Sequence, residues 1–479
     1  MSIKRALVLS YCERYGSILL GLIATMVLSR VLTPAEVGVF SIGVLLIGII
    51  GVLRDLDATS FLIQTPELTL TRVRAAFSVS MGLGILFAVL LWLFSPLVAT
   101  FYEEPKLKDV IQLLALNFLL VPFGANTQAV LTREMRFGAL LIIRLSQPMV
   151  NATVSITLAL LGHGTMSLAW GMVAGSITIS LVSNFFRPKN FPLLPGWRGI
   201  GEVLHFGLRK TSASILTQIK FSAPEIVLGK TIDFAASAFF SRANGLAQLF
   251  SQMIMNAIHQ VALAHFSKNQ RAEEDHSKRD YLFATHIILA LAWPFFVVLG
   301  WNAHAVIYVL YGEQWVSAAP VLQILCLSVS LTMPFALAGS LFVASGNVGM
   351  LFRSALMVTP ISLLLVLLAA HHSTEAVAGA VVITALVEAV ICMLILKHRN
   401  NIAWSDFQPA IRSALLLSAV AGLACGLGAL IPVSGLSPNA TRVVHMFISS
   451  ALALLGYAYA LWHTQHPLLS LARNLLRKS

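Results

Sequence analysis

Apolar runs of near-spanning length alternate with short polar connections along the whole chain. At about 20 apolar residues per crossing, this pattern predicts about 14 transmembrane helices. They are Arg14–Leu32, Val37–Leu53, Ala75–Thr100, Val110–Leu131, Ala139–Leu161, Met166–Phe186, Val203–Lys230, Phe234–Phe266, Tyr281–Leu310, Ala318–Val343, Met350–Ala370, Ala376–Leu396, Ala414–Ile431 and Val443–Trp462. The seventh and eighth stand apart, because they carry Lys210, Lys220, Glu225, Arg242, Gln252, Asn256 and His259. Helical spacing puts Lys210, Ser214, Thr217, Gln218 and Glu225 along one side of the seventh, and the polar groups of the eighth within one arc. A charge at the centre of a spanning helix costs about 2.5–3.5 kcal/mol, so such groups face a bundle interior or a wet cavity. The pair is expected to form one wall of a polar cavity. Shorter polar stripes, Arg14-Ser17-Gly21-Thr25 on the first helix and Arg144-Gln147-Asn151-Ser155 on the fifth, suit the same lumen.

The halves of the chain echo each other. Val27–Phe40 aligns without gaps on Val227–Phe240, Val110–Leu116 matches Val321–Leu327, and Trp170-Gly171 corresponds to Ala378-Gly379. The common order argues for a duplicated six-helix unit, whose even helix number gives both copies the same orientation and places the substrate site between lobes. A basic connection with Pro188, Pro192 and Pro195 separates them. The expected fold is an all-α polytopic membrane protein: an N-terminal lobe over residues 1–186, a cytoplasmic linker over 187–202 and a C-terminal lobe over 203–398. Residues 399–479 add two transmembrane helices and an amphipathic tail, and the two six-helix lobes surround a central cationic cavity.

Composition supports the membrane reading and alters the meaning of the charge. Of 479 residues 57% are hydrophobic and 11% charged, and the net charge is +12. No soluble domain large enough to bind a nucleic acid is evident. Topology accounts for most of the basic residues: Lys4, Arg5, Arg54, Arg72, Arg133, Arg187, Lys278, Arg399 and Arg473 are among many that fall on one side, so both termini are expected in the cytoplasm. Leu468, Leu471, Leu475 and Leu476 set against Arg473, Arg477 and Lys478 read as an interfacial anchor. Cys12, Cys326, Cys392 and Cys425 lie in apolar segments without metal-ligand or disulfide spacing. The first helix lacks a small-residue cleavage site, so it is not expected to be a removable signal.

The cations left within or at the edge of the membrane outnumber the acids there, Glu13, Glu225 and Glu388. Arg14, Arg144, Lys210, Lys220, Arg242 and Arg353 are the candidate substrate-binding cations, with Gln147, Asn151, Gln252, Asn256 and His259 as further polar lining. Glu225 and Glu388 are the candidate coupling acids. Alternatives stay open: Arg14 snorkelling to lipid headgroups, Lys220 pairing with Glu225, and Arg353 sitting at the cytoplasmic edge of its helix. The polar interior is net positive, which argues against a cationic substrate. No nucleophile, paired carboxylates or metal ligand set argues for an enzyme, and no cofactor is expected.

Four stretches carry a resemblance to a known family. Leu28–Phe40, Arg54-Asp55-Leu56 leading to Leu62-Ile63-Gln64, Phe240–Gln248, and Tyr311-Gly312-Glu313-Gln314-Trp315 before Pro320 resemble the oligosaccharide flippases of the polysaccharide transporter family. Its superfamily also holds multidrug-and-toxin exporters and the lipid II flippase. The resemblance implies a bacterial inner-membrane protein that moves polyprenyl-pyrophosphate-linked oligosaccharide repeat units outward by alternating access, for O-antigen, capsule or exopolysaccharide assembly. It also implies contact with membrane lipids and a polysaccharide polymerase, and coupling to protons, sodium ions or the membrane potential. Asp57 stands where that family often has glycine. A cation-coupled drug or metabolite exporter of the same superfamily is the alternative, followed by a membrane glycan polymerase or ligase.

Overall fold

The computed structural model describes residues 3–55, 58–65, 67–188, 194–255, 258–259, 262, 265–266, 277–347, 349–433 and 437–469. Among these, every regular element is a helix. The chain divides into two compact units, Met1–Ala238 and Phe239–Ser479.

The first unit contains α1 (Ile3–Val31), α2 (Pro34–Asp55), the short α3 (Ala58–Gln64), α4 (Leu70–Tyr102), α5 (Pro105–Arg133), α6 (Phe137–Leu160), α7 (Thr165–Phe185), α8 (Ile200–Thr231) and the start of α9 (Phe234–Ala247). Local sequence sets these ends. Thr69 caps α4 by accepting a hydrogen bond from the Arg72 amide at 3.4 Å. Glu103 then ends that helix in the left-handed region, and Glu104 with Pro105 opens α5. The core forms where α2, α4, α5 and α7 meet around Ile42, Leu107, Leu114, Phe118 and Val173. Close approaches need glycine. A Cβ on Gly84 would meet the Phe118 carbonyl, and one on Gly38 would meet that of Phe234.

Several basic residues assigned to topology also hold backbone in place. Arg133 donates to the Leu62 and Thr65 carbonyls at the end of α3. Arg74 donates to the Pro195 carbonyl at 2.8 Å, and Ser78 Oγ accepts from the Gly196 amide at 2.7 Å. The end of the proline-rich connection is therefore fastened to α4. Helix α8 lies along α2 and α4, with Tyr102 donating to the Ile226 carbonyl at 3.1 Å and Lys230 reaching Glu103 at 2.8 Å. The contact boundary consequently falls at Ala238, beyond the linker that marks the lobe border in the sequence.

The second unit contains the rest of α9, a π-helical turn (Ser251–Met255), α10 (Ser277–Trp301), α11 (Ala303–Tyr311), α12 (Ala319–Thr332), α13 (Ala338–Ala344), α14 (Gly349–Ala369), α15 (Thr374–Asn400), α16 (Trp404–Ala429) and α17 (Pro438–His463). The predicted helix Tyr281–Leu310 is broken at Asn302. Its amide donates to the Val298 carbonyl at 3.0 Å, and its oxygen accepts from Ser449 on α17 at 2.9 Å. The predicted helix Ala318–Val343 likewise tightens at Met333-Pro334, where Tyr281 donates to the Pro334 carbonyl at 3.2 Å. Helix α16 runs against α10 and α17 against α16.

The repeat is visible in the element borders. Helices α1 and α2 break between Val31 and Pro34, and α8 and α9 between Thr231 and Phe234, corresponding points of the gapless sequence match. Twelve helical segments among the described residues are long and apolar enough to cross a membrane. The other two of the expected fourteen, Val203–Lys230 and Phe234–Phe266, are not among these twelve, so a count of fourteen is not shown; they are the polar pair, and the second lies partly outside the described residues. The interfacial helix expected at the C-terminus lies largely outside the described residues.

Candidate functional site

Each unit contains a polar cluster, and the two differ in construction. In the first unit, α6 carries Arg144 two turns from its start, while α1 and α5 bring up Glu13 and Gln128. Arg144 Nη1 lies 3.2 Å from Glu13 Oε2, and Arg144 Nε lies 3.5 Å from Gln128 Oε1. The cluster is not closed off, since the Arg144 side chain is 39% exposed and that of Glu13 is 20% exposed. Arg14, next to Glu13, is half-buried on α1.

The rest of the α6 stripe has a structural task. A Cβ on Gly171 would collide with Ser155 Oγ and lie 2.8 Å from the Asn151 carbonyl. One on Gly175 would lie 3.1 Å from the Gln147 carbonyl. This Gly-x-x-x-Gly face lets α7 press on the stripe, which is the close-packing use of small residues in membranes. Ser155 is buried there and donates to Asn151 Oδ1 at 3.1 Å. Asn151 and Ser155 thus belong to a helix contact, whereas Arg144, nearer the start of α6, reaches α1 and α5.

Helix α8 carries Lys210, whose side chain lies outside the described residues, along with Lys220 and Glu225. Lys220 Nζ stands 5.4 Å from the Phe221 ring centroid. Glu225 is buried at 5% exposure, one turn beyond a Gln218–Ser222 hydrogen bond of 3.0 Å.

In the second unit Arg242 sits over aromatic rings. Its guanidinium carbon is 5.1 Å from the Trp315 centroid and 5.7 Å from that of Tyr311. Trp315 is fully buried and also meets Phe239 edge-on at 5.9 Å. Two of the sequence stretches that carry the family resemblance thereby touch. Tyr311 and Trp315 were legible only as part of a motif, and nothing in the spacing of the chain pairs them with Arg242.

A cavity of about 310 Å³ lies within the second unit. Its apolar wall includes Met255, Met333, Phe335 and Phe342, and its polar groups include His259, Thr332, Ser354 and Glu388. His259 Nδ1 is 3.2 Å from Ser340 Oγ. His259 and Glu388, predicted separately, are therefore brought to one site, which Thr332 and Ser354 complete without having been foreseen. Gln252 is exposed beside Ser251 and is not among the lining groups. Arg353 is exposed near the start of α14 and also lies off the lining. Asn256 lies outside the described residues. Among the described residues, no group of three or more His, Cys, Asp or Glu side chains is placed to hold a metal ion.

Comparison with known proteins follows the same lines. The lipopolysaccharide biosynthesis protein WzxC of Escherichia coli (strain K12) is 24% identical over 338 residues, covering 70% of this chain and 68% of that protein. The succinoglycan biosynthesis transport protein ExoT of Rhizobium meliloti (strain 1021) is 24% identical over 400 residues, covering 83% and 78%. Among solved structures, the lipid II flippase MurJ in an inward closed conformation superposes with a TM-score of 0.75 at 15% identity, covering 96% of this chain and 99% of that one. An inward-facing multidrug resistance transporter of the MATE family and MOP superfamily gives 0.66 at 15% identity, covering 80% and 94%. These likenesses establish a MurJ/MATE-like fold. The family model described as polysaccharide biosynthesis protein matches residues 27–320, more than half of the chain, and the protein belongs to that family.

Proposed function

We infer that the protein is a flippase. It carries polyprenyl-pyrophosphate-linked oligosaccharide repeat units from the cytoplasmic to the periplasmic leaflet of a bacterial inner membrane, by alternating access. Its termini are cytoplasmic, and a polymerase uses the exported units for O-antigen, capsule or exopolysaccharide. The observation that carries this reading is Arg144, a half-exposed guanidinium presented by three packed helices within the spanning region. A phosphate oxygen pair matches the donor fork of arginine, and a site that replaces hydration lets the headgroup cross the hydrocarbon. The biosynthesis and transport names of WzxC and ExoT, and the lipid substrate in the name of MurJ, support this substrate class.

Coupling is assigned to the second unit. Glu388 and His259 share a cavity with otherwise largely apolar walls, which makes this carboxyl group the candidate for coupling. The test is translocation of a labelled polyprenyl-pyrophosphate oligosaccharide in proteoliposomes, with and without proton and sodium gradients. Transport by the wild type, lost in Arg144→Ala and no longer accelerated by the gradient in Glu388→Gln, is the expected result. Transport of soluble organic cations without movement of the lipid-linked glycan would replace this reading with that of an exporter.

A further inference from the structure

Gly84 and Gly171 are required where they stand, because a Cβ at either would collide with a neighbouring helix. Gly124, inside α5, is not explained that way. A Cβ there would lie 3.4 Å from Ser183 Oγ and 3.6 Å from both Gln128 Nε2 and the Ile179 carbonyl oxygen, which is ordinary contact. Alanine would fit, and it would favour the helix, since glycine in a helix interior is destabilising relative to alanine. What sets the place apart is that these three nearest atoms, two from α7 and one from the next turn of α5, are all polar. A methyl group would press hydrocarbon against every one of them.

Ser183 is fully buried at 0% exposure, and its Oγ has no hydrogen-bond partner among the described residues. Gln128 turns its amide nitrogen toward the same point for a reason set by Arg144. A guanidinium only donates, so the Gln128 oxygen is the atom that faces Arg144 Nε, at 3.5 Å, and the nitrogen faces away. The Ile179 carbonyl, inside α7, keeps a second lone pair beyond its helical bond. A donor, an acceptor and a hydroxyl group thus converge on one point, beside the apolar cluster of Leu131, Leu140 and Ile143 against which Ile179 packs.

We propose that Gly124 seats one buried water molecule, which accepts from Gln128 Nε2, donates to the Ile179 carbonyl and bonds Ser183 Oγ, and that this bridge makes Gln128 a positioning residue for Arg144. Three partners are the usual number for a buried water. The bridge ties Arg144 on α6, through Gln128 on α5, to α7, so the guanidinium keeps its orientation toward a phosphate. No bond is made or broken, and no group changes charge. The positioning role rests on the reading of Arg144 as the headgroup site, whereas the water itself does not.

The experiment is calorimetric titration of the full chain in nanodiscs with farnesyl diphosphate, paired with the thermal transition of the detergent-solubilised protein. Gly124→Ala is expected to bind roughly 2–10-fold more weakly than the wild type, the loss of one net hydrogen bond. Gly124→Ser supplies covalently the oxygen that the water supplies, and it is expected to restore binding to within about twofold of the wild type. Gly124→Ser is also expected to melt above Gly124→Ala, although serine is the larger residue and the weaker helix former. A Gly124→Ala protein that binds like the wild type and melts higher overturns the water, and so does a Gly124→Ser protein that binds and melts below Gly124→Ala. Equal affinity in all three, with the serine variant melting above the alanine variant, supports the water and overturns the positioning role. Binding that survives Arg144→Ala, or no binding by the folded wild type, overturns the headgroup reading and the positioning role with it, while the thermal order of the two Gly124 variants still decides the water.

Discussion

Arg144 and Arg242 look alike in the sequence, each a lone arginine on a polar arc of an apolar helix, but the two units use them differently. Arg144 is held by a carboxylate and an amide, polar partners that leave the guanidinium partly exposed. Arg242 lies against Trp315 and Tyr311, of which the first is fully buried, so its charge steadies an aromatic cluster. A membrane-embedded cation is thus defined less by the cost of burying it than by whether its neighbours leave it exposed.

The strongest way to sharpen this contrast is Trp315→Ala. Removing a buried indole costs about 3–5 kcal/mol, and the thermal transition of the detergent-solubilised protein should drop accordingly, with Arg242→Ala lowering it by less. A fully stable Arg242→Ala that had lost only diphosphate binding would erase the distinction. Next in size is Arg144→Ala. Charge-assisted hydrogen bonds worth about 1.5–3 kcal/mol predict a roughly 10–150-fold loss of diphosphate affinity with unchanged membrane abundance. Gly171→Ala should cost about 1–3 kcal/mol by forcing α7 off Ser155 and Asn151. Ser155→Ala should recover part of that stability but not all, because the Asn151 backbone still stands in the way.

The smallest effect belongs to Glu103, outside the spans. Its hydrogen bond and charge contact with Lys230 hold the carboxyl below the usual range. A carboxyl depressed in the folded state stabilises at pH above its unfolded value and stops doing so as pH falls through the folded one. Glu103→Gln should therefore flatten only the acidic limb of the stability profile, by an amount limited by solvent screening.

The helices were legible because hydrocarbon imposes a length, and the matched stretches Val27–Phe40 and Val227–Phe240 contain corresponding helix breaks. The polar character of α8 and α9 was equally plain, for charges are conspicuous against leucine. What stayed hidden was long-range pairing. Nothing in one chain couples Glu13 to Arg144 or Trp315 to Arg242, since the partners lie on different helices. The glycines of α7 were hidden for the same reason, because their value lies in what faces them. Where polar residues on α6 were read as one lumenal stripe, those glycines divide it into an open Arg144 end and a packed Asn151–Ser155 end.

Helices α16 and α17 are tied into their unit. Tyr457 donates to the Ala290 carbonyl at 3.1 Å, Ser449 joins Asn302 at 2.9 Å, and a Cβ on Gly428 would lie 2.6 Å from the Ser449 backbone. During synthesis, α10 must therefore wait in the membrane for partners that emerge more than a hundred residues later. A ribosome that stalls or terminates after α15 would release a chain whose second unit has an uncovered seam along α10.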